Sequence, residues 1–582
     1  MQGWVFSTTW FSNRSKMKID LATTPIKRFF RLLKEEKKEV YAIYFYSLLN
    51  GAVSLIYPLG IQAIVNFVLG GRVSTAWLIM VLVVALGIIF GGFLQISQLY
   101  LTEKLEQRIF TKTGFGFAYR LPRLKMDELE GDYPPELANR FFDAVNLQKG
   151  ISKILIDFSF STVQIFFGMV LLALYNIFFV IFSFGLIALV IVIFYFTSPK
   201  GMETNLKVST MKYKTAFWLE EIARTLATFK LAGNSKLPVK TIDKLLQSYV
   251  DFRNRHFGVL VFQYKVMIAF KALIVTTLLV VGSLLLIDNQ ISIGQFVAAE
   301  VIIILIVSSV EKIILSLDAV YDTLTATEKI GQIMDIPMER QEGTEKALTT
   351  NSESLQFQIK HLYFRAKDTT QEILEDVSFE LKPGEKVILT GKSGSGKSTL
   401  MYLMSGLYTS YRGRIVVNGL PIDTMNLDRL RSYIGDSLSH QSIFHGSIYD
   451  NVTLKKDMED SEVRAVFELV GLKDYIYLLP DDWDTMLMPE GKGLSKSLIS
   501  RIILARCLAC EPKALLLEDM IAYFEPDEKA RIVSYILDGP WTVMMISEDM
   551  DTIKRFPRVM KLDHGKLVYD GDSSMFAKIN NA

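Results

Sequence analysis

Uncharged stretches longer than a soluble core helix needs dominate the first half of the chain. Val40–Gly71 is 32 residues without a charge, and Val73–Thr102 is another 30. Phe158–Pro199 is 42 uncharged residues, broken only by the polar pair Tyr175-Asn176. At 1.5 Å per residue that run makes about 63 Å of helix, enough to cross a roughly 30 Å hydrocarbon core twice. It therefore predicts two spans joined by a tight turn. Two further runs, Phe257–Ile287 and Ile291–Val310, are interrupted by Lys265, Lys271 and Glu300. Six spans result. The internal charges of the last two are expected to face a partner helix or an aqueous pathway, or, for Lys265, to snorkel to a membrane edge.

After Val310 the pattern changes. Glu311–Ile336 reads as a helix leaving the membrane, Pro337–Ser354 as a polar linker, and from Leu355 onward short strands alternate with helices as in an α/β domain. The expected division is a cytoplasmic N-terminal segment at 1–38, a six-span domain at 39–325, a linker at 326–354 and a nucleotide-binding domain at 355–582. Met1–Met17 has no continuous apolar core, so no cleaved signal is expected. Thr24-Pro25 predicts an N-cap with Pro at the first helical position. The basic amphipathic stretch Ile26–Lys38 follows, either interfacial or solvated.

Composition sharpens this picture. Half of the 582 residues are apolar and the mean hydropathy is +0.27, yet 22% are charged, with 64 Lys+Arg against 62 Asp+Glu. The average hides a very apolar half and an ordinary one. Two cysteines and near-zero net charge argue against a disulfide-stapled secreted domain, a disordered chain and a basic nucleic-acid binder. Lys and Arg fall on one side of the predicted spans. Nine precede Val40, nine lie in Glu103–Asp157 and eleven in Lys200–His256, whereas the opposite turns carry almost none. Both termini and the two long loops are therefore expected in the cytoplasm. The expected site is a cell membrane, as in the bacterial inner membrane.

The strand-like run Lys386–Thr390 leads into Gly391-Lys392-Ser393-Gly394-Ser395-Gly396-Lys397-Ser398-Thr399, and a helix is expected from Leu400. This is G-x-x-x-x-G-K-[ST] in the strand–loop–helix setting that its chemistry requires. Glycines let backbone N–H groups turn toward phosphates, and the helix N-terminus adds partial positive charge. Lys397 is expected at the β- and γ-phosphates and Ser398 at Mg²⁺.

Taken together, these features resemble an ABC transporter half-subunit of the exporter type. The implied fold is a six-helix transmembrane bundle followed by an α/β P-loop ATPase domain. Phe444-His445-Gly446-Ser447-Ile448 with Asp450-Asn451-Val452 resembles the family's F-x-G-T-I…N-I segment. Glu490–Ser495 followed by Arg501–Arg506 resembles its signature helix, and Leu515–Asp519 its carboxylate strand. Leu121-Pro122 and Trp218–Gly233 resemble type I secretion and bacteriocin-export subunits. The resemblance implies ATP and Mg²⁺ as cofactors, a dimer with a second half-subunit, lipid around the spans and, in that subgroup, a membrane-fusion adaptor. It also implies coupling segments near Leu124–Tyr133 and Met211–Phe217 that rest on ATP-binding domains.

The chain departs from the family pattern at five places. The L-S-G-G-Q signature is Leu494-Ser495-Lys496-Ser497-Leu498, so Ser495 remains while bulk replaces the glycines. The Asp-Glu carboxylate pair is Glu518-Asp519, its lengths exchanged; each carboxylate moves by about 1 Å, a misplacement able to cost on the order of 10² in rate. Glu548 stands at the switch histidine, placing an anion where a γ-phosphate is expected. Ser439 stands at the magnesium-sensing glutamine, with Gln441 out of register. Ala366 stands at the adenine-stacking tyrosine, with Tyr363 or Phe364 as substitutes. Glu518 is the expected metal-side carboxylate, Asp519 a shortened base, and Glu548 the altered switch.

The expectation is an ATP-binding exporter half with weak or absent hydrolysis, and a heterodimer with an intact partner is preferred over a homodimer. A membrane-anchored regulator that moves nothing, and an ATPase whose exchanged carboxylates are compensated locally, are the alternatives. Cys507 and Cys510 form C-x-x-C, read as buried inert thiols in preference to a redox pair.

Overall fold

The computed structural model describes residues 24–71, 75–129, 131, 133–344, 353–367, 369–438, 442–456, 458–518 and 521–580; several side chains within 177–190 and 577–580 lie outside that description. The chain divides into two compact units. One comprises Met1–Pro122 with Tyr133–Ile336, the other Arg123–Asp132 with Pro337–Ala582.

The first unit is helical. Among the described residues, five helical stretches are long and apolar enough to cross a membrane: Lys37–Leu69, Thr75–Arg123, Pro134–Tyr175, Leu237–Ile287 and Ile293–Asp335. The remaining expected span falls on the helix Ile177–Arg224. Asn176 makes the predicted break. Its backbone is extended (φ −160°, ψ 146°), and its side chain accepts the Phe178 N–H at 2.9 Å, restarting the helix at once. Leu78, Leu82, Ile89 and Phe93 on the second span are exposed, the outward apolar surface expected of a lipid-facing helix. Buried Ile302, Ile303, Ile306, Leu172 and Ile274 form the core of this unit.

The long charged loops between the spans are largely continuations of the spanning helices. Ile177–Arg224 has 48 residues and Leu237–Ile287 has 51, each far longer than a bilayer requires. Charge ends the lipid-facing stretch without ending the helix, because Lys, Glu, Arg and Leu are all good helix formers. The expected coupling segment at Met211–Phe217 lies inside the unbroken helix Ile177–Arg224. The chain reverses later, at 225–236, where Thr225 leaves helical geometry and Gly233 takes φ +66°.

The basic N-terminal helix runs Pro25–Glu35, with Pro25 at its first position as predicted, but the Thr24 hydroxyl makes no capping bond. Its polar face is divided. Arg28 pairs with Glu328 at 2.9 Å and with Asp335 at 2.5 Å, while Lys27, Arg31 and Lys34 are exposed beside exposed Ile26 and Phe30. Buried Glu36 ends the helix and pairs with Arg108 and Lys112.

The second unit holds a six-stranded sheet in the spatial order Lys566–Asp572, Arg558–Asp563, Lys386–Thr390, Thr542–Ile546, Ala514–Glu518, Ile434–Ser437. All neighbours are parallel except the first pair. The strands Lys386–Thr390 and Thr542–Ile546 are buried at every position, as central parallel strands covered on both faces must be. A four-stranded antiparallel sheet adds Leu374–Leu381, Phe357–Phe364, Arg412–Val417 and Leu420–Pro421. The two sheets share a core that includes Phe357, Leu381, Leu389, Leu403 and Leu516.

The segment 123–132 belongs to this unit although it leaves the first. Lys125 N–H donates to the Pro337 carbonyl at 3.1 Å and Glu339 N–H to the Arg123 carbonyl at 2.7 Å. Asp127 accepts from the Thr409 N–H at 3.0 Å and its hydroxyl at 2.7 Å. Of the expected coupling segment at Leu124–Tyr133, Lys125 and Asp127 thus bond to the strand-containing unit of their own chain.

Candidate functional site: a phosphate-binding loop at the sheet edge

Three parallel strands end on the same edge; Lys386–Thr390 leads to Lys397 and Ser398, Thr542–Ile546 to Glu548, and Ala514–Glu518 ends on Glu518. Leu389 pairs with Ile546, and Ile546 with Glu518, so the chain leaves all three strands side by side. The crevice beyond the carboxyl ends of such strands is where α/β proteins bind ligands.

From Lys386–Thr390 the chain enters the glycine loop. Gly391, Gly394 and Gly396 take φ of 145°, 79° and 98°. Two of these are obligatory on steric grounds as well. A Cβ at Gly391 would overlap the Leu562 carbonyl, and one at Gly396 would meet Leu374 and the Ile373 carbonyl. The helix Lys397–Met404 then begins at Gly396 with no side-chain cap, which leaves its first N–H groups for an anion. Lys392 and Ser393 are exposed, and Thr399 is half-buried in the first turn. Ser395 is 4% exposed, and its hydroxyl has no hydrogen-bond partner among the described residues. A buried, unsatisfied donor inside a ring of left-handed glycines fits a phosphate group.

Lys397 is engaged three ways. Its ammonium donates to the Gly391 carbonyl, to the Lys392 carbonyl at 3.0 Å and to the Glu548 carboxylate at 3.3 Å. The Lys397 side chain is 10% exposed and that of Glu548 is 63% exposed. Ser398 donates its hydroxyl to the Glu518 carboxylate, and the Glu518 N–H is held by the Ser437 hydroxyl at 3.3 Å. One hydroxyl and one carboxylate in contact suit Mg²⁺, which takes one or two protein oxygens and completes its shell with water and nucleotide phosphates. Asp519, Ser439 and Gln441 lie outside the described residues.

Ser495 caps the helix Lys496–Ala509 by accepting the Leu498 N–H at 3.2 Å. Lys496 lies 5.7 Å from the Tyr523 ring centroid. The turn before it uses φ of +59° at Glu490, +66° at Gly491 and +92° at Gly493. Phe364, a suggested adenine-stacking substitute, is only 4% exposed and packs on Tyr408 at 5.4 Å. It is core and does not present a face to a ligand, because it occupies an inward position of its strand. Tyr363 points the other way and carries Arg412 at 5.0 Å over its ring.

Cys507 is buried and donates to the Asp436 carbonyl, and Cys510 to the Cys507 carbonyl at 3.1 Å. Burial pushes both thiols above their ordinary range, as inert thiols require. Two supporting residues escaped the sequence reading, Ser437 and Asp549. Asp549 caps the short helix Met550–Ile553 and pairs with Lys529. An Asp at the start of a short helix, with a second acid, Asp551, in the first turn, was the available signal. The Lys529 ammonium, helped by the Thr552 hydroxyl, holds its carboxyl down at about 2.

Both parts of the chain are similar to known proteins. Residues 40–310 match the family model described as ABC transporter transmembrane region, and residues 374–522 the one described as ABC transporter. The chain is 30% identical over 250 residues to the ABC transporter ATP-binding protein YfiB of Bacillus subtilis, covering 42% of this chain and 43% of that protein. It is 27% identical over 287 residues to an ATP-dependent lipid A-core flippase of Burkholderia orbicola, covering 49% and 48%. The matches thus span about half the length of these relatives. Among solved structures, a bacterial Atm1-family ABC exporter with ATP bound superposes with a TM-score of 0.80 at 20% identity, over 94% of this chain and 96% of that one.

Proposed function

Since this chain belongs to the ABC transporter family, with its transmembrane region and ATP-binding domain on one polypeptide, we propose that it is one half of a dimeric exporter that binds Mg-ATP and hydrolyses it weakly or not at all. The observation that carries this reading is the pairing at the sheet edge. Ser398 and Glu518 already meet as a magnesium site requires, while Lys397 is met by an anion, Glu548. These contacts support nucleotide binding beside a group that opposes the γ-phosphate.

In this reading Gly391–Thr399 cradles the phosphates, Lys397 reaches the β- and γ-phosphates, and Ser398 with Glu518 holds Mg²⁺. Asp519 is the shortened candidate base, and Ser495 addresses the nucleotide of the opposite subunit. Nucleotide closes two such domains on each other, and the closure passes through the helical extensions to reorient both sets of spans. The altered signature and exchanged carboxylates support a heterodimer, because a homodimer would have two impaired sites; an intact partner's phosphate loop would then face Lys496 and Ser497 of this chain. The inside-positive charge bias supports ATP-binding domains and termini in the cytoplasm, with the spans in a bacterial inner membrane among lipid, and a membrane-fusion adaptor as a further partner. No role for nucleic acid is proposed.

The contact of Glu548 with Lys397 also motivates a second reading, a non-transporting ATP-binding regulator. Steady-state hydrolysis by the purified chain, alone and with any co-purifying subunit, separates the cases. The exporter reading expects little turnover alone, turnover with the partner, and substrate movement in vesicles. Brisk turnover by the chain alone that vanishes in Lys397→Ala overturns weak hydrolysis. Nucleotide binding without movement of any substrate favours the regulator.

A further inference from the structure

We propose that Glu548 is a specificity-determining residue that makes this phosphate loop prefer a nucleoside diphosphate over a triphosphate. The proposal rests on reading Gly391–Thr399 as a nucleotide site and adds to it which nucleotide the site favours.

An ammonium has three protons to donate. Those of Lys397 are directed at the Gly391 carbonyl, the Lys392 carbonyl and the Glu548 carboxylate. A β-phosphate lodged in the loop draws chiefly on backbone N–H groups of the glycine ring and of the first turn of Lys397–Met404, which the Glu548 pairing leaves untouched. A γ-phosphate extends past them and depends on Lys397 more heavily than the β-phosphate does. It must take over the donor that Glu548 uses and then sit beside a displaced carboxylate.

The carboxylate cannot simply move off with its backbone. Ser547 N–H bonds to the Leu389 carbonyl at 3.3 Å, in line with the central parallel strands. On the other side, Asp549 N–H bonds to the Ser547 hydroxyl at 3.2 Å, and the Asp549 carboxylate caps Met550–Ile553 and pairs with Lys529. Both neighbours of Glu548 are pinned, so only its side chain can turn away. Because that side chain is 63% exposed, water screens the repulsion. The discrimination should therefore be a moderate factor, not a block.

The test is equilibrium binding of ADP and of the non-hydrolysable imido analogue of ATP, each with Mg²⁺, to the full chain in detergent. In the wild type ADP should bind more tightly. In Glu548→Gln, which keeps shape and removes charge, the triphosphate should tighten by roughly tenfold while ADP stays within about twofold, as expected when one like charge is removed from a partly exposed site. Glu548→Ala should show the same selective gain, and its ADP affinity reports that the domain is folded. Raising salt should narrow the difference in triphosphate-to-diphosphate ratio between the wild type and Glu548→Gln. An unchanged triphosphate-to-diphosphate ratio in both variants, with both nucleotides still bound, overturns the proposal and leaves the nucleotide-site reading standing. Failure of the wild type to bind either nucleotide overturns both.

Discussion

The Ser398 hydroxyl donates to the Glu518 carboxylate, joining the first turn after the glycine loop to the end of a strand 120 residues further along the chain. Under the proposed function, a Ser398 already aimed by a carboxylate would need little rearrangement to take Mg²⁺ with nucleotide. Glu518→Gln removes the charge and keeps the size. It should weaken the Mg²⁺ dependence of nucleotide binding by roughly 10–100-fold, the range seen when a metal-supporting group is lost. Titrating Mg²⁺ against a fixed nucleotide concentration measures this, and binding without Mg²⁺ should change little.

Asp549 gives an acid-range prediction. Its folded value of about 2 lies below the ordinary 3.8, chiefly because the Lys529 ammonium bonds to it. The folded state therefore gains from the ionised form, and that gain is complete above the unfolded value. It is lost as pH falls from about 4 through about 2. Asp549→Asn should melt below wild type at pH 7, and the two should converge near pH 2. Thermal melts of the full chain at stepped pH would show the convergence; a constant gap would refute it.

The thiols of Cys507 and Cys510 should resist alkylation in the folded protein. Thiolate is the reactive form, and burial disfavours it at both positions. At pH 8, labelling of Cys507 should be much slower than that of a free cysteine and should accelerate on denaturation, because access requires local opening. Rapid labelling, or a disulfide between the pair under mild oxidant, would contradict the inert reading.

Gly150 offers a packing test. It lies in the helix Asp143–Lys153, where a Cβ would overlap the Thr323 hydroxyl of the helix Leu317–Asp335. Gly150→Ala should destabilise the helical unit by about 1–3 kcal/mol, the usual cost of overpacking. Thr323→Ala in the same chain should restore much of the loss, since it removes the overlapping atom. Unfolding of the single and double variants in detergent measures the coupling.

What the amino-acid sequence determined by itself was what depends on near neighbours. Length and apolarity locate the spans, because the bilayer sets a minimum length for an uncharged helix. Asn176 marks the tight turn, because its side chain can cap the next helix locally. The glycine loop follows from φ preferences and its strand–helix setting. Residue type also exposed the anomalies at Glu518 and Glu548. Only the tertiary structure decided what those carboxylates touch. Strand order places Glu518 and Glu548 on one edge with Lys397 and Ser398, and no local period encodes that order. The same holds for the chain reversal at 225–236 and for the attachment of 123–132 to the strand-containing unit. A charged helix reads alike whether it ends or continues, and a short polar segment finds its place through partners such as Thr409 and Pro337, hundreds of residues away along the chain.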